Sequence, residues 1–404
     1  MAVGLQEPES LLPINGVRLA SVIAGIKKNQ SEDLVLIEMQ QGSECVAVFT
    51  QNKFCAAPVT LAKKHLSKAE PRYLLINSGN ANAGTGEQGM LDALQSCVLV
   101  SQQFACKPEE VLPFSTGVIG ENLPVDKIAS AMKKLEQALS VDNWIAAGQG
   151  IMTTDTRLKG VSRQIELQGK KITVTGVSKG AGMIQPNMAT MLGYIATDAA
   201  ISKPLLQECL IDAVNLSFNS ITVDSDTSTN DACVLIATGQ AGNEIISKKD
   251  ESYKQLLQLI REVFTTLAQA IIRDAEGATK FVSIQVNSSH SVEDARQVAY
   301  TIAHSPLVKT ALFASDPNWG RILAAVGRSG VEFEINKIQI YLGDVCIVSN
   351  GGRDPSYTEK QGQQVMSQEE IDIRVELNTG DKSACIWTSD LSYDYVKINA
   401  EYRS

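Results

Sequence analysis

The segment Lys179 to Leu192 reads K-G-A-G-M-I-Q-P-N-M-A-T-M-L, and its residue types suit an acyl transfer that begins with the chain cutting itself. A threonine hydroxyl that follows a small residue can attack the preceding carbonyl, here Thr190 on Ala189. The peptide nitrogen leaves and an ester replaces the amide, an N-to-O acyl shift. Water hydrolyses that ester and frees Thr190 as a new N-terminus. Its hydroxyl then sits beside its own α-amine, whose ordinary pKa of about 7.7–8.0 leaves an appreciable neutral fraction near neutral pH. That amine can take the hydroxyl proton without a histidine, as in other threonine nucleophiles with an N-terminal amine base. The β-branch limits rotamers and keeps the nucleophile oriented. Gly180 and Gly182 allow backbone angles closed to other residues, and Pro186 biases Gln185 to extended geometry, so the segment can hold a strained turn. A glycine-rich loop running into a strand is the other reading of the same composition.

The rest of the chain offers few other reactive groups. There are three histidines, His65, His290 and His304, none near another in sequence or beside a cysteine. That argues against a Ser-His-Asp triad or a histidine-rich metal site. The eight cysteines form no C-x-x-C pair, which reads as free thiols in a reducing compartment. Asp224, Asp226 and Asp231 imitate a calcium loop, but the run lacks the glycine and distal glutamate of an EF-hand; structural hydrogen bonding by its Ser, Thr and Asn residues is expected. Trp319 could line a pocket or pack in a core. The loops Thr50 to Val59 and Asn77 to Gly86 could shape a site or a subunit contact.

The elements that must position these groups are short strands and longer helices. Asp33 to Met39, Cys45 to Thr50, Tyr73 to Ser78 and Ile172 to Val177 read as strands. Glu87 to Cys106 and Val125 to Leu139 carry apolar residues at helical spacing. Gln255 to Arg273 is the clearest helix, with Leu256, Ile260, Val263, Leu267 and Ile271 on one stripe and a stop near Gly277. The last hundred residues favour strands: Ile338 to Leu342, Ile371 to Leu377 and Ala384 to Ile398. A mixed α/β protein follows. Its 404 residues, 44% hydrophobic and 20% charged, suffice for two or three units of about 150 residues. A net charge of −9 without a basic run argues against nucleic-acid binding. No run reaches the roughly 18 uncharged apolar residues of a membrane helix, and the N-terminus lacks a secretion signal. The expectation is a soluble, cytoplasmic enzyme with neither nucleic-acid nor membrane partners.

The Lys179–Leu192 motif closely resembles that of the ornithine acetyltransferase family, the glutamate N-acetyltransferases of arginine biosynthesis. Further matching runs are Thr50–Val59, Asn77–Gly86, S-T-G-V-I-G at Ser115–Gly120, T-T-D-T at Thr153–Thr156, Thr222–Asp231, R-D-A-E-G-A-T-K at Arg273–Lys280 and D-P-N-W-G-R-I at Asp316–Ile322. The resemblance covers essentially the whole chain. It implies a layered α/β sandwich, autoprocessed between Ala189 and Thr190 into chains of residues 1–189 and 190–404 that stay together and pair into a heterotetramer. It implies that Thr116 and Gly117 form an oxyanion hole, worth a few kcal/mol where charge develops. It places Thr153, Lys179, Thr190, Glu276, Asn399 and Ser404 in the substrate site. Lys179 could pair with a substrate carboxylate or depress the pKa of the Thr190 amine. Glu276 could pair with an ornithine ammonium or position the acceptor amine.

The implied reaction is ping-pong. Thr190 takes the acetyl group of N-acetylornithine, ornithine leaves, and glutamate receives the acetyl group. No metal or tightly bound cofactor is implied; some members of the family also accept acetyl-CoA, which stands as an alternative donor. Two rival readings remain beside it. One is an amide hydrolase of the β-aminopeptidase type, which shares the self-cleavage logic but typically exposes serine. The other is an uncut, non-catalytic binding protein, although Thr190, Lys179 and Glu276 are all present.

Overall fold

The computed structural model of the chain describes residues 2–185 and 191–401. Three sheets organise it. The first has four strands in the order Val17–Val22, Leu34–Met39, Tyr73–Asn80, Val111–Val118. The second has five, in the order Glu44–Phe49, Ala232–Ala237, Leu192–Thr197, Lys170–Lys179, Lys159–Leu167.

Period-two alternation explains how these two sheets stack. Leu19, Val35, Ile37, Leu74, Ile76, Leu112 and Phe114 of the first sheet share one core with Val177, Leu192, Tyr194, Val234 and Ile236 of the second. The opposite face of the first sheet (Leu34, Leu36, Leu75) packs on the helices Ala57–Leu66, Gly86–Phe104 and Val125–Ala138. The opposite face of the second (Val46, Val174, Ile195, Leu235) packs on the helices Lys203–Leu216 and Glu251–Arg273. The result is a helix–sheet–sheet–helix sandwich, the layered α/β architecture expected of the sequence. No helix among the described residues is long and apolar enough to cross a membrane.

The third sheet has seven strands. Its central members run Gln339–Leu342, Glu370–Glu376, Phe281–Ser289, Lys382–Ser389. It builds a separate core with the helices Val292–Ala303, Pro306–Phe313 and Trp319–Gly327, against which Trp319 packs. Trp319 therefore serves packing.

Several elements differ from the sequence expectation. The stretch Ala384 to Ile398 is not one strand: it ends at Ser389, and Tyr393–Ala400 is a helix. Ser392 explains the change, because its hydroxyl accepts from the Tyr395 backbone N–H and caps the new helix. Strands do not fill the last hundred residues either. Ser305 and Asn318 cap two of the helices there by the same device. The helix Glu251–Arg273 starts four residues before the expected Gln255, capped by Asp250, whose carboxylate accepts from Tyr253 N. It ends before Gly277, which has φ +68°; a β-carbon there would lie 2.5 Å from Tyr395 N. Gly277 is thus a turn that admits the C-terminal helix rather than a helix cap.

The strands Lys170–Lys179 and Leu192–Thr197 are antiparallel neighbours, with Lys179 opposite Leu192. The expected cut site lies between them in sequence. Both halves of the chain therefore contribute adjacent strands to one sheet.

Candidate active site

The end of the strand Lys170–Lys179 opens into a cavity of about 260 Å³. Its walls include Thr116, Gly117, Thr153, Lys179, Glu276 and Asn399. These six come from five separate stretches of sequence, brought together by the sandwich and the C-terminal helix. Ala189, Thr190 and Ser404 lie outside the described residues, but Met191, which follows Thr190 in sequence, also lines the cavity. None of the three histidines does.

Thr116 and Gly117 end the strand Val111–Val118, where pairing with the strand Tyr73–Asn80 slips so that Asn80 faces both Thr116 and Val118. Gly117 has φ +134°, and a β-carbon on it would meet the Gly79 carbonyl carbon at 2.3 Å. Only glycine fits this approach, so the backbone of Gly117 reaches the cavity wall uncovered. Asn230 ties this corner down by donating to the carbonyls of Ala81 and Ser115 at 2.6 and 2.9 Å.

Lys179 is buried. Its ammonium donates to Thr153 Oγ1 at 2.8 Å and to Thr116 Oγ1 at 3.3 Å. Asp155 Oδ2 lies 4.0 Å away. Burial lowers the Lys179 pKa from its ordinary value; Asp155 opposes that shift, and Lys159 adds to it.

Behind Lys179 runs a fully buried chain of charges. Lys159 bridges Asp155 at 2.7 Å and Asp274 at 2.6 Å. Asp155 also accepts from the backbone N–H groups of Thr153 and Gly180. Asp274 accepts from Thr156 and Arg157 N–H groups and from the Thr156 hydroxyl. Burial alone would raise the Asp155 carboxyl, but the ammonium groups of Lys159 and Lys179 outweigh it and hold the carboxyl well below the usual carboxylate range. Two cations and two carboxylates thus balance, which is what makes such burial tolerable.

Asp231 is a different case. Its carboxyl is buried in the cavity wall, and Oδ2 finds no hydrogen-bond partner among the described residues. Burial pushes it well above the usual range, against a Ser228 hydrogen bond and the Lys179 charge. Its neighbour in the acidic run, Asp224, accepts from Met183 N, Ile184 N and the Tyr395 hydroxyl. Thr222, Thr227 and Asn230 of that run donate to backbone carbonyls, the structural hydrogen bonding its composition predicts.

Glu276 follows the helix Glu251–Arg273 and is buried. Its Oε2 accepts from Asn399 Nδ2 at 2.7 Å. Asn399 is carried by the helix Tyr393–Ala400, which Ser392 fastens by donating to the Gly277 carbonyl at 2.6 Å. The cavity therefore brings together a buried cation, two hydroxyls, a carboxylate and an amide, groups suited to a zwitterionic amino-acid ligand. Asp155, Lys159 and Asp274 escaped sequence reasoning, and Asp231 was legible only as part of an acidic run, not as a wall of the cavity. Asp155 and Asp274 lie inside matched runs (T-T-D-T and R-D-A-E-G), which was the one signal available.

Comparison with known proteins adds a family. The model of the ArgJ family matches residues 18–404. The arginine biosynthesis bifunctional protein ArgJ of Pseudomonas fluorescens (strain Pf0-1) is 56% identical over 406 residues, covering 100% of both chains. Its counterpart in Methylococcus capsulatus is 55% identical, covering 98% of this chain and 97% of that one. Among solved structures, the ArgJ protein of Bacillus halodurans is 37% identical over 51% of this chain and 96% of that chain, with a TM-score of 0.49. The ornithine acetyltransferase of Mycobacterium tuberculosis, solved as a complex with ornithine, is 33% identical over 44% of this chain and 94% of that chain, with a TM-score of 0.39.

Proposed function

The chain belongs to the ArgJ family and is an enzyme of arginine biosynthesis, and we propose that it moves the acetyl group of N2-acetyl-L-ornithine to L-glutamate through an acetyl-Thr190 intermediate. The observation that carries this reading is the convergence of Thr116, Gly117, Thr153, Lys179, Glu276 and Asn399 on the one cavity that Met191 also lines.

The steps balance without a metal or bound cofactor. The chain first cuts itself: Thr190 Oγ attacks the Ala189 carbonyl, the C–N bond breaks, and water hydrolyses the ester to an Ala189 carboxylate and a free Thr190 amine. In the transfer, Thr190 Oγ attacks the acetyl carbon while the Thr190 amine takes the hydroxyl proton. The oxyanion forms against the Thr116 hydroxyl and the Gly117 N–H. Collapse breaks the C–N bond, and ornithine leaves with that proton on its amine. The glutamate amine then attacks the acetyl ester and Thr190 regains its proton. Glu276, held by Asn399, meets the cationic end of the donor or steadies the acceptor amine. Ser404 would complete that side of the site.

The two chains of residues 1–189 and 190–404 stay together in this reading, because Ala232–Ala237 and Leu192–Thr197 of the second chain lie hydrogen-bonded between Glu44–Phe49 and Lys170–Lys179 of the first in the five-stranded sheet. Two such pairs form a heterotetramer. The enzyme works in the cytoplasm, whose reducing conditions suit eight free cysteines. Acetyl-CoA serves as a second donor for making N-acetylglutamate.

A denaturing intact-mass spectrum after brief exposure to N-acetylornithine tests the core of this. Two chains meeting at Ala189/Thr190, with one acetyl group on the C-terminal chain that L-glutamate removes as N-acetylglutamate, is the expected result. Ornithine release without acetylated glutamate would point to an amide hydrolase of the β-aminopeptidase type. A single uncut, unmodified chain would leave a binding protein.

A further inference from the structure

An ammonium donates up to three hydrogen bonds and accepts none. When Lys179 Nζ meets Thr116 Oγ1 at 3.3 Å, the threonine oxygen is therefore the acceptor, and its own proton must point elsewhere. Thr116 lines the cavity, so that proton is available to a ligand. A second Lys179 proton goes to Thr153 Oγ1 at 2.8 Å. The nearest countercharge is Asp155 Oδ2 at 4.0 Å, and Asp155 is fixed by Lys159 and by the backbone N–H groups of Thr153 and Gly180. The Lys179 ammonium is thus anchored mainly on the protein.

Resting on the acetyl-transfer reading above, we propose that Lys179 is a positioning residue for the oxyanion donor: held by Asp155, its ammonium turns the Thr116 hydroxyl toward the reacting carbonyl and polarises it. A hydroxyl that accepts from a cation is a stronger donor to developing negative charge. The low-dielectric surroundings strengthen both contacts. Lys159 and Asp274 serve at one remove, since they hold Asp155 in place. This differs from a lysine that simply pairs with the substrate carboxylate, where the effect would fall on binding.

A double-mutant cycle on acetyl transfer separates the two roles. kcat and KM for N-acetylornithine are measured for the full-length enzyme and for Lys179→Met, Thr116→Val and the double variant, each normalised to its cut fraction by denaturing mass. Lys179→Met leaves Asp155 paired with Lys159 at 2.7 Å, so no buried carboxylate loses all its partners. Each single change is expected to lower kcat by about 10- to 100-fold with little change in KM. The double variant is expected to lose little more than the worse single one, because the two residues act as a unit. Losses that multiply, or a Lys179→Met effect confined to KM, would overturn the assignment.

If either variant stays uncut, Asp155→Asn decides. The groups facing Lys179 are Asp155, Lys159, Asp231, Glu276 and Lys27, and Asp155 is the strongest of the carboxylates that keep it charged. Activity needing the ammonium is present below the Lys179 pKa and lost above it. Removing Asp155 moves that alkaline limb of kcat to lower pH, whereas mere structural damage lowers kcat at every pH alike. An unmoved limb would overturn the proposal. Failure of the parent reading looks different: the unaltered enzyme would form no acetyl-enzyme at all.

Discussion

Gly182 lies so close to Glu276 that a β-carbon on the glycine would sit 2.4 Å from the carboxylate Oε2 and 2.6 Å from Oε1. The glycine of the K-G-A-G run is there to let a carboxylate from a distant part of the sequence, next to the helix Glu251–Arg273, reach the cavity.

Gly182→Ala should therefore push Glu276 off its hydrogen bond with Asn399. Overpacking of this kind costs about 1–3 kcal/mol, and under the proposed reading the displaced carboxylate would no longer meet the substrate. The expected result is a drop in thermal stability together with a raised KM for N-acetylornithine, by about an order of magnitude. Steady-state kinetics at saturating L-glutamate check this. A KM equal to that of the unaltered enzyme would detach Glu276 from substrate binding.

Ser392 offers a second handle on the same wall from the outside. Its hydroxyl accepts from Tyr395 N and donates to the Gly277 carbonyl, so it both caps the last helix and fastens it to the turn beside Glu276. Replacing an N-cap serine by alanine costs about 1 kcal/mol. Ser392→Ala should fray the helix that carries Asn399 and loosen the site without touching Thr116 or Gly117. Faster amide hydrogen exchange over Tyr393–Ala400, with kcat less affected than KM, is the expected pattern. Unchanged exchange there would mean that other contacts hold the helix.

Much of this arrangement was legible in the sequence because it is local. The apolar run of Tyr73–Asn80, buried on both faces, and the apolar stripe of Glu251–Arg273 are read from neighbouring residues alone. Lys179, Glu276 and the Thr116–Gly117 pair stood out through motif position. What escaped is what depends on distance. Lys159 meets Asp274 across 115 positions, and no periodicity links them. Tyr393, Tyr395, Val396 and Ile398 of the C-terminal helix favour strands; the Ser392 cap and the docking turn at Gly277 override that preference. Gly117 and Gly182 read alike as loop glycines, and only packing shows that one meets a backbone and the other a carboxylate.

Asp231 makes stability depend on pH. Burial raises its carboxyl well above the ordinary value of about 3.9. Between the unfolded and folded pKa values the native state keeps a proton that the unfolded chain releases. Stability from this group is fully present below about pH 4 and is lost as pH rises through the raised folded value. Asparagine has the same shape and nothing to release. Asp231→Asn should therefore melt at a temperature that gains on the unaltered protein as pH climbs above about 4. Melting curves that run parallel across that range would show that Asp231 titrates normally.

In the proposed reaction one Thr190 hydroxyl does two jobs, and two substitutions separate that dual role from simple loss of structure. Thr190→Ala removes the hydroxyl and should give a single uncut chain that never acquires an acetyl group. That outcome alone could also come from a misfolded precursor. Thr190→Ser restores the hydroxyl while dropping the methyl that limits χ1. It should cut at the same bond and carry acetyl, but more slowly, because the nucleophile now samples more rotamers. Denaturing mass spectra of both variants, taken over time with N-acetylornithine, read the two steps side by side. A serine variant that neither cuts nor is acetylated would show that the hydroxyl is not sufficient. An alanine variant that is still cut after residue 189 would remove Thr190 from the first step altogether.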